Sequence, residues 1–210
     1  MLPTLIVFGD KTANEVLEAA TLGHQQLFAK MDRIYFEEPT FSDVHLPRYA
    51  AIGLEIHFNI GVADVQIKQR VNQRCLELGW KPFTVVHPSA IVSPSARLGL
   101  GVFVGPLAIV SINAVVGDHC IVHLHSSIGH DASIGAYCSI LPGARISGSV
   151  HIGDRVLIGS NAFVNAGVRI GDDCQVDALT YVSRDLPEGY LMSVRAKKPM
   201  RRIFSNNGSG

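Results

Sequence analysis

From Leu98 onward every sixth residue is Leu, Ile or Val for fifteen consecutive positions: Leu98, Val104, Val110, Val116, Val122, Ile128, Ile134, Ile140, Ile146, Ile152, Ile158, Val164, Ile170, Val176 and Val182. A helix repeats its apolar face every 3.6 residues and a half-buried strand every two, so an unbroken period of six marks a repeat architecture. Four residues after each aliphatic but the last stands a residue no larger than Val, such as Ala108, Ala114, Cys120, Ser126, Ala132 and Cys138. Both columns must face inward. The residue directly after the aliphatic is Gly in eight of the fifteen cases, and a missing Cβ there permits a tight bend or a positive φ. Three six-residue sides therefore close a triangular coil of eighteen residues, and coils stack about 4.8 Å apart. The expected fold is a left-handed parallel β-helix of hexapeptide repeats over residues 85–210.

Before the repeat the pattern changes. Thr4–Phe8 reads as a buried parallel strand ending at Gly9, and residues 12–22 as an amphipathic helix stopped by Gly23. Arg33–Phe36 and Ile56–Ile60 read as two further strands, the first running into Glu37 and Glu38 and the second into Gly61. Val65–Leu78 has helical periodicity, and a crossing segment near Pro82–Pro88 follows. This is a small Rossmann-like βαβαβ unit spanning residues 1–84, so the chain combines an α/β N-terminal domain with an all-β one. Open parallel sheets bind ligands beyond the carboxyl ends of their strands. Those ends carry Gly9, Asp10, Lys11, Glu37, Glu38 and Gly61, the expected substrate-binding set.

Charge excludes some partners. The 18 Lys and Arg balance the 18 Asp and Glu among 210 residues, so no whole-chain field draws nucleic acid or an anionic membrane. The basic residues do gather near the end, in Arg195, Lys197, Lys198, Arg201 and Arg202, as a solvated tail or a phosphate contact. No stretch approaches eighteen apolar residues, which argues against a membrane span, and the expected location is cytoplasmic. Cys120, Cys138 and Cys174 share one inward column and read as small buried thiols, with Cys75 in a helix. No CxxC or comparable metal-ligand spacing occurs, so no metal is expected.

Several segments carry a family resemblance: the strand–Gly turn at Gly9, Leu46–Pro47–Arg48–Tyr49, the linker His87–Pro94, the coil Ile128–Gly135 and the ending Gly189–Lys197. Together they resemble the bacterial sialic acid O-acetyltransferases and UDP-amino-sugar N-acetyltransferases, hexapeptide-repeat acyltransferases. The resemblance implies an acetyl-CoA-dependent N-acetyltransferase that acts on a nucleotide-linked amino sugar in surface glycan and polysaccharide biosynthesis. It implies His130 as general base and Asp131 as the carboxylate that strengthens it. It further implies acetyl-CoA running past Ser139, Gly159, Ser160 and Ala178, with Lys197 at the CoA phosphates. Departures are visible too: of the family's Gly-x-Gly-Gly-His-Gly turn only Gly9 survives in Gly9–Asn14, and Asp131 stands where Glu is frequent.

His130 is the third residue of its hexad, where the side chain points outward from the prism. An imidazole with a reference pKa near 6.5 is a suitable proton acceptor at neutral pH. The expected reaction is direct transfer from the thioester to the acceptor nitrogen, without an acyl-enzyme. Phe103, Ile109, Ile112, Val115, Ile121, Leu157 and Phe163 occupy outward positions and are too apolar to face water, so a homotrimer with sites between subunits is expected. Three other readings stand beside this one. They are a sugar O-acetyltransferase, a γ-carbonic-anhydrase-like zinc enzyme using histidines among His119, His123, His125 and His130, and a non-catalytic β-helix subunit. Ile146 lies mid-column, where each buried aliphatic contributes about 1.5–3 kcal/mol. The Ile146→Asp protein is expected to lose the cooperative circular-dichroism melt of its C-terminal half.

Overall fold

A fully apolar run needs cover on both faces, and Thr4–Gly9 (β1) has it: all six residues are buried at the centre of a parallel sheet. The computed structural model describes residues 2–9, 11–35, 46, 55–196 and 198–202. β1 is followed by a helix, Lys11–His24 (α1), which runs through Gly23 instead of stopping there and tightens into a 3₁₀ turn at Gln25–Leu27. Lys30–Ile34 (β2) lies earlier than the expected Arg33–Phe36. Ile56–Gly61 (β3), the helix Val65–Glu77 (α2) and the short strand Lys81–Pro82 (β4) complete the unit. Sheet order is β2-β1-β3-β4, parallel throughout. α2 begins at Asp64, whose carboxylate accepts from the Ile67 N–H at 2.9 Å and caps the first turn.

The repeat forms seventeen two-residue strands, β5 (Val85–Val86) to β21 (Tyr181–Val182), stacked in parallel as three flat faces. Each pairs with the strand eighteen residues away, as Ser139 with Leu157 on face one, Ser127 with Arg145 on face two and Ser133 with His151 on face three. Both inward columns are buried, from Val102 and Val104 through Ile146 and Cys174 to Val182. The cysteines are free. Cys120 and Cys138 donate their thiols to the carbonyls of Gly135 (2.9 Å) and Gly153 (3.1 Å).

The corner glycines correct one expectation. Positive φ falls not on the residue after the aliphatic but two positions later, at Leu107, Asn113, His119, His125, Asp131 and their equivalents. Glycine after the aliphatic answers a different need, the close approach of the next coil. A Cβ on Gly159 would stand 2.4 Å from the Ala178 nitrogen, and one on Gly135 would stand 2.4 Å from Asp154 Oδ1. That Asp154 oxygen reaches back to accept the Ala136 N–H at 2.8 Å, as Asp118 accepts from Leu100.

The N-terminal unit lies against face one, which corrects a second expectation. Phe103 and Ile121 point outward from the prism but are buried against Leu5, Val7 and Val85, not left for a neighbouring subunit. Asn59 Nδ2 donates to Phe83, Gly101 and Val102 carbonyls across this junction. Lys68 of α2, fully buried, donates to Ser139 Oγ at 2.9 Å and to the carbonyls of Cys138 and Tyr137. Of the expected surface column, Ile109, Ile112 and Phe163 do remain exposed.

Two histidines are trapped in the same junction. His119 stacks between Phe58 (6.0 Å) and Tyr137 (5.3 Å), and His123 Nδ1 lies 3.6 Å from the Glu15 carboxylate. Burial lowers both from 6.5 to about 4, with the Lys68 charge adding to the effect and the neighbouring Asp118 opposing it at His119. The unfolded chain therefore binds these protons first. Both contributions are complete above pH 6.5 and are lost as pH falls toward 4, up to about 3 kcal/mol each. Glu15, raised mainly by burial, works in the opposite direction as pH rises through its own titration. Thermal melts between pH 7 and 4.5 should fall steeply for the native chain. They should fall less steeply for His119→Phe, which keeps the stack and removes one of the two titrations.

Candidate active site

The six-residue period puts His130 and Asp131 at the corner between faces two and three. Asp131 takes the left-handed conformation there, φ 57°, which Asp tolerates better than most residues. This backbone turns its short carboxylate toward the preceding side chain, so that Asp131 Oδ2 lies 2.8 Å from His130 Nδ1. The other oxygen, Oδ1, accepts from Asn113 Nδ2 at 3.0 Å, one coil earlier. These two bonds, His130 first, hold the Asp131 carboxyl below its usual range. An ionised carboxylate only accepts, so Nδ1 carries the hydrogen and the Nε2 lone pair is left free. Both side chains are about half exposed, 59% and 52%.

The floor beneath the ring is Gly148, one coil later. A Cβ there would stand 2.4 Å from His130 Nε2 and 2.6 Å from Cε1. The imidazole thus lies flat against bare backbone, its accepting nitrogen over the coil that follows. Neither Asn113 nor Gly148 was singled out by sequence reasoning. The signal that finds them is the coil length, since they stand eighteen residues from Asp131 and His130.

The other expected residues are dispersed. Gly159, Ser160 and Ala178 share the corner between faces one and two, a full face away from His130 within the chain. Ser139 is corrected: it faces α2, is 1% exposed and accepts from Lys68, so its hydroxyl is closed to a ligand. Hexad spacing gives its outward direction but not which face the N-terminal unit covers. Gly9 and Gly61 are paired at the carboxyl edge of the sheet, where a Cβ on Gly61 would strike Ala13 of α1 at 2.6 Å, and Lys11 opens α1 exposed to solvent. Beside them Asn14 bonds Arg33, whose guanidinium lies 5.3 Å from the Tyr35 ring centre. Asp10, Glu37, Glu38 and Lys197 lie outside the described residues.

For a zinc site the histidines are badly placed. His119 and His123 are under the N-terminal unit, and His125 and His130 occupy different corners. Among the described residues no three metal-ligating side chains gather. No helix among them is long and apolar enough to cross a membrane.

The coil geometry and the likenesses that follow define a left-handed parallel β-helix of hexapeptide repeats, the fold of the acetyltransferases it is similar to. Residues 149–184 match the hexapeptide repeat of succinyl-transferase. No curated protein matches the chain. Among solved structures it is similar to PerB from Caulobacter crescentus in complex with CoA and GDP-perosamine. The identity is 28%, the match covers 94% of this chain and 97% of that one, and the TM-score is 0.84. A histidine-to-asparagine mutant of perosamine N-acetyltransferase from Caulobacter crescentus, in complex with CoA and GDP-perosamine, matches at 28% identity over 95% and 97%, TM-score 0.82. The acetyltransferase domain of PglB from Neisseria gonorrhoeae in complex with acetyl coenzyme A matches at 25% identity over 95% and 100%, TM-score 0.82. WeeI from Acinetobacter baumannii, 17% identical over 94% and 100% with TM-score 0.82, shares the fold.

Because Gly148 is the floor for the ring, Gly148→Ala should lift His130 off its seat. Acetyl transfer should fall about 100-fold, while the thermal midpoint stays within a few degrees of the native protein.

Proposed function

We propose that this protein is an acetyl-CoA-dependent N-acetyltransferase that acts on a nucleotide-linked amino sugar, with His130 as general base. The observation that carries the reading is the His130–Asp131 pair: one ring nitrogen is engaged by an ionised carboxylate and the other is free on a rigid corner. The near full-length likeness to a perosamine N-acetyltransferase in complex with CoA and GDP-perosamine supports the substrate class. The acceptor amine attacks the thioester carbonyl while His130 Nε2 takes its proton, and the CoA sulfur leaves with the collapse of the tetrahedral intermediate. Asp131 stabilises the imidazolium as it forms. The carboxyl edge of the N-terminal sheet, where Lys11 is exposed beside the buried Gly9 and Gly61, is where the nucleotide is proposed to rest; Asp10, Glu37 and Glu38 belong to the same proposal.

The proposed site is completed by a second copy. Face two presents Ile91 and Ile109 at one end and Phe163 and Tyr181 at the other, with Ser127 and the exposed Arg145 between them, two apolar pairs suited to packing about a threefold axis. With that face turned inward, the corner bearing His130 meets the corner of the next copy that bears Gly159, Ser160 and Ala178. Measured from Leu124, level with His130, those residues lie two and three coils along, about 10 and 14 Å at the ~4.8 Å coil spacing. That separation suits an extended pantetheine arm reaching back to the imidazole, with Lys197 near the phosphate end.

The test is a free-thiol assay with acetyl-CoA and a panel of nucleotide amino sugars. His130→Ala should lose turnover by about 1,000-fold yet bind acetyl-CoA with native affinity in calorimetry. Light scattering should return a mass of three protomers. Full activity in His130→Ala excludes the base, and a concentration-independent monomer excludes the shared site.

A further inference from the structure

We infer that Asn113 is a positioning residue for the proposed base, acting through Asp131 to fix which nitrogen of His130 is free. The inference rests on the acetyltransferase reading above and deepens it. Asn113 and Asp131 occupy equivalent positions in adjacent coils, both with φ 57°. Their side chains leave the same corner in the same direction, with Asn113 Nδ2 3.0 Å from Asp131 Oδ1. This corner conformation is strained for most side chains and easy for Asn and Asp, so both residues meet the local backbone requirement without distortion.

The chain of contacts is directional. The Asn113 backbone N–H donates to Ser95 Oγ at 3.1 Å in the coil before, which anchors the corner from behind. Its side-chain amide donates to Asp131, a carboxylate with two oxygens and freedom to rotate about Cα–Cβ and Cβ–Cγ. Once Oδ1 is held, Oδ2 is directed at His130 Nδ1, 2.8 Å away. Without the amide, an exposed Asp131 is free to turn toward water, and the imidazole loses the partner that selects its tautomer. Gly148 holds the ring from the other side. Three consecutive coils therefore contribute one atom group each to the placement of a single nitrogen. Among the described residues, Asp131 is the charged side chain that faces the imidazole, and Asn113 and His130 are the two groups that bond Asp131.

Two substitutions separate positioning from folding. Asn113→Asp keeps the size and the corner conformation but replaces the donor with a second carboxylate beside Asp131. Added negative charge favours the protonated imidazole, so the acid limb of the kcat/KM–pH profile should move up by about half a unit or more. Turnover at pH 7 should fall about tenfold with KM for acetyl-CoA unchanged. Asn113→Gly removes the side chain at no backbone cost; kcat should fall several-fold and the acid limb should move down, because Asp131 no longer supports the imidazolium. An acid limb coincident with the native one in both variants overturns the positioning role, as does native kcat in both. His130→Ala, run in parallel, distinguishes the failures. If it is inactive while both Asn113 variants behave as native, only the relay is wrong; if it is fully active, the base assignment itself fails.

Discussion

Everything in this molecule depends on backbone registry between coils. Each inner two-residue strand is bonded to the coils before and after it, as when the Gly129 N–H donates to Ile146 at 2.8 Å and the Gly135 N–H to Ile152 at 2.8 Å. A slip of one residue would turn every inward aliphatic outward, so the apolar columns and the ladder enforce each other. The close approach of coils follows from that registry, and glycine recurs where a neighbouring backbone leaves no room for a Cβ.

The same registry builds the site. A side chain at a corner has neighbours one coil above and one below at about 4.8 Å, so residues far apart in sequence meet by arithmetic. Asn113 meets Asp131 in this way, and the His130 ring meets the bare backbone of Gly148. The geometry of the proposed site is here a by-product of stacking, which supplies a stiffness that a loop-borne histidine lacks.

How much of this was legible beforehand follows from what periodicity encodes. Spacing alone gives the triangular coil, its inward columns and the outward direction of His130, because each is set by local backbone geometry. It does not say which face the N-terminal unit covers. That choice arises from non-local contacts: Asn59 against Gly101 and Val102, Lys68 against Ser139, and Leu5 and Val7 against Phe103 and Ile121. Outward direction alone puts Ser139 on a ligand path, whereas it lies beneath α2. The same direction puts Phe103 and Ile121 at a subunit interface, although the chain covers them itself. Glycine after the aliphatic suggests a tight bend or a positive φ, whereas positive φ falls two positions later, mostly on residues with side chains such as Asn113, His119 and Asp131 and on Gly101, Gly143 and Gly167.

The Lys68 side chain joins the two units by direct hydrogen bonds. An ammonium wholly enclosed and bonded to Ser139 and two carbonyls resists withdrawal, since leaving would expose those groups unpaired. The sheet edge and the spool are thereby locked at one mutual angle, and a hinge between them is costly. The two units therefore move as one body, and any ligand that touches both meets a spacing fixed when the chain folds.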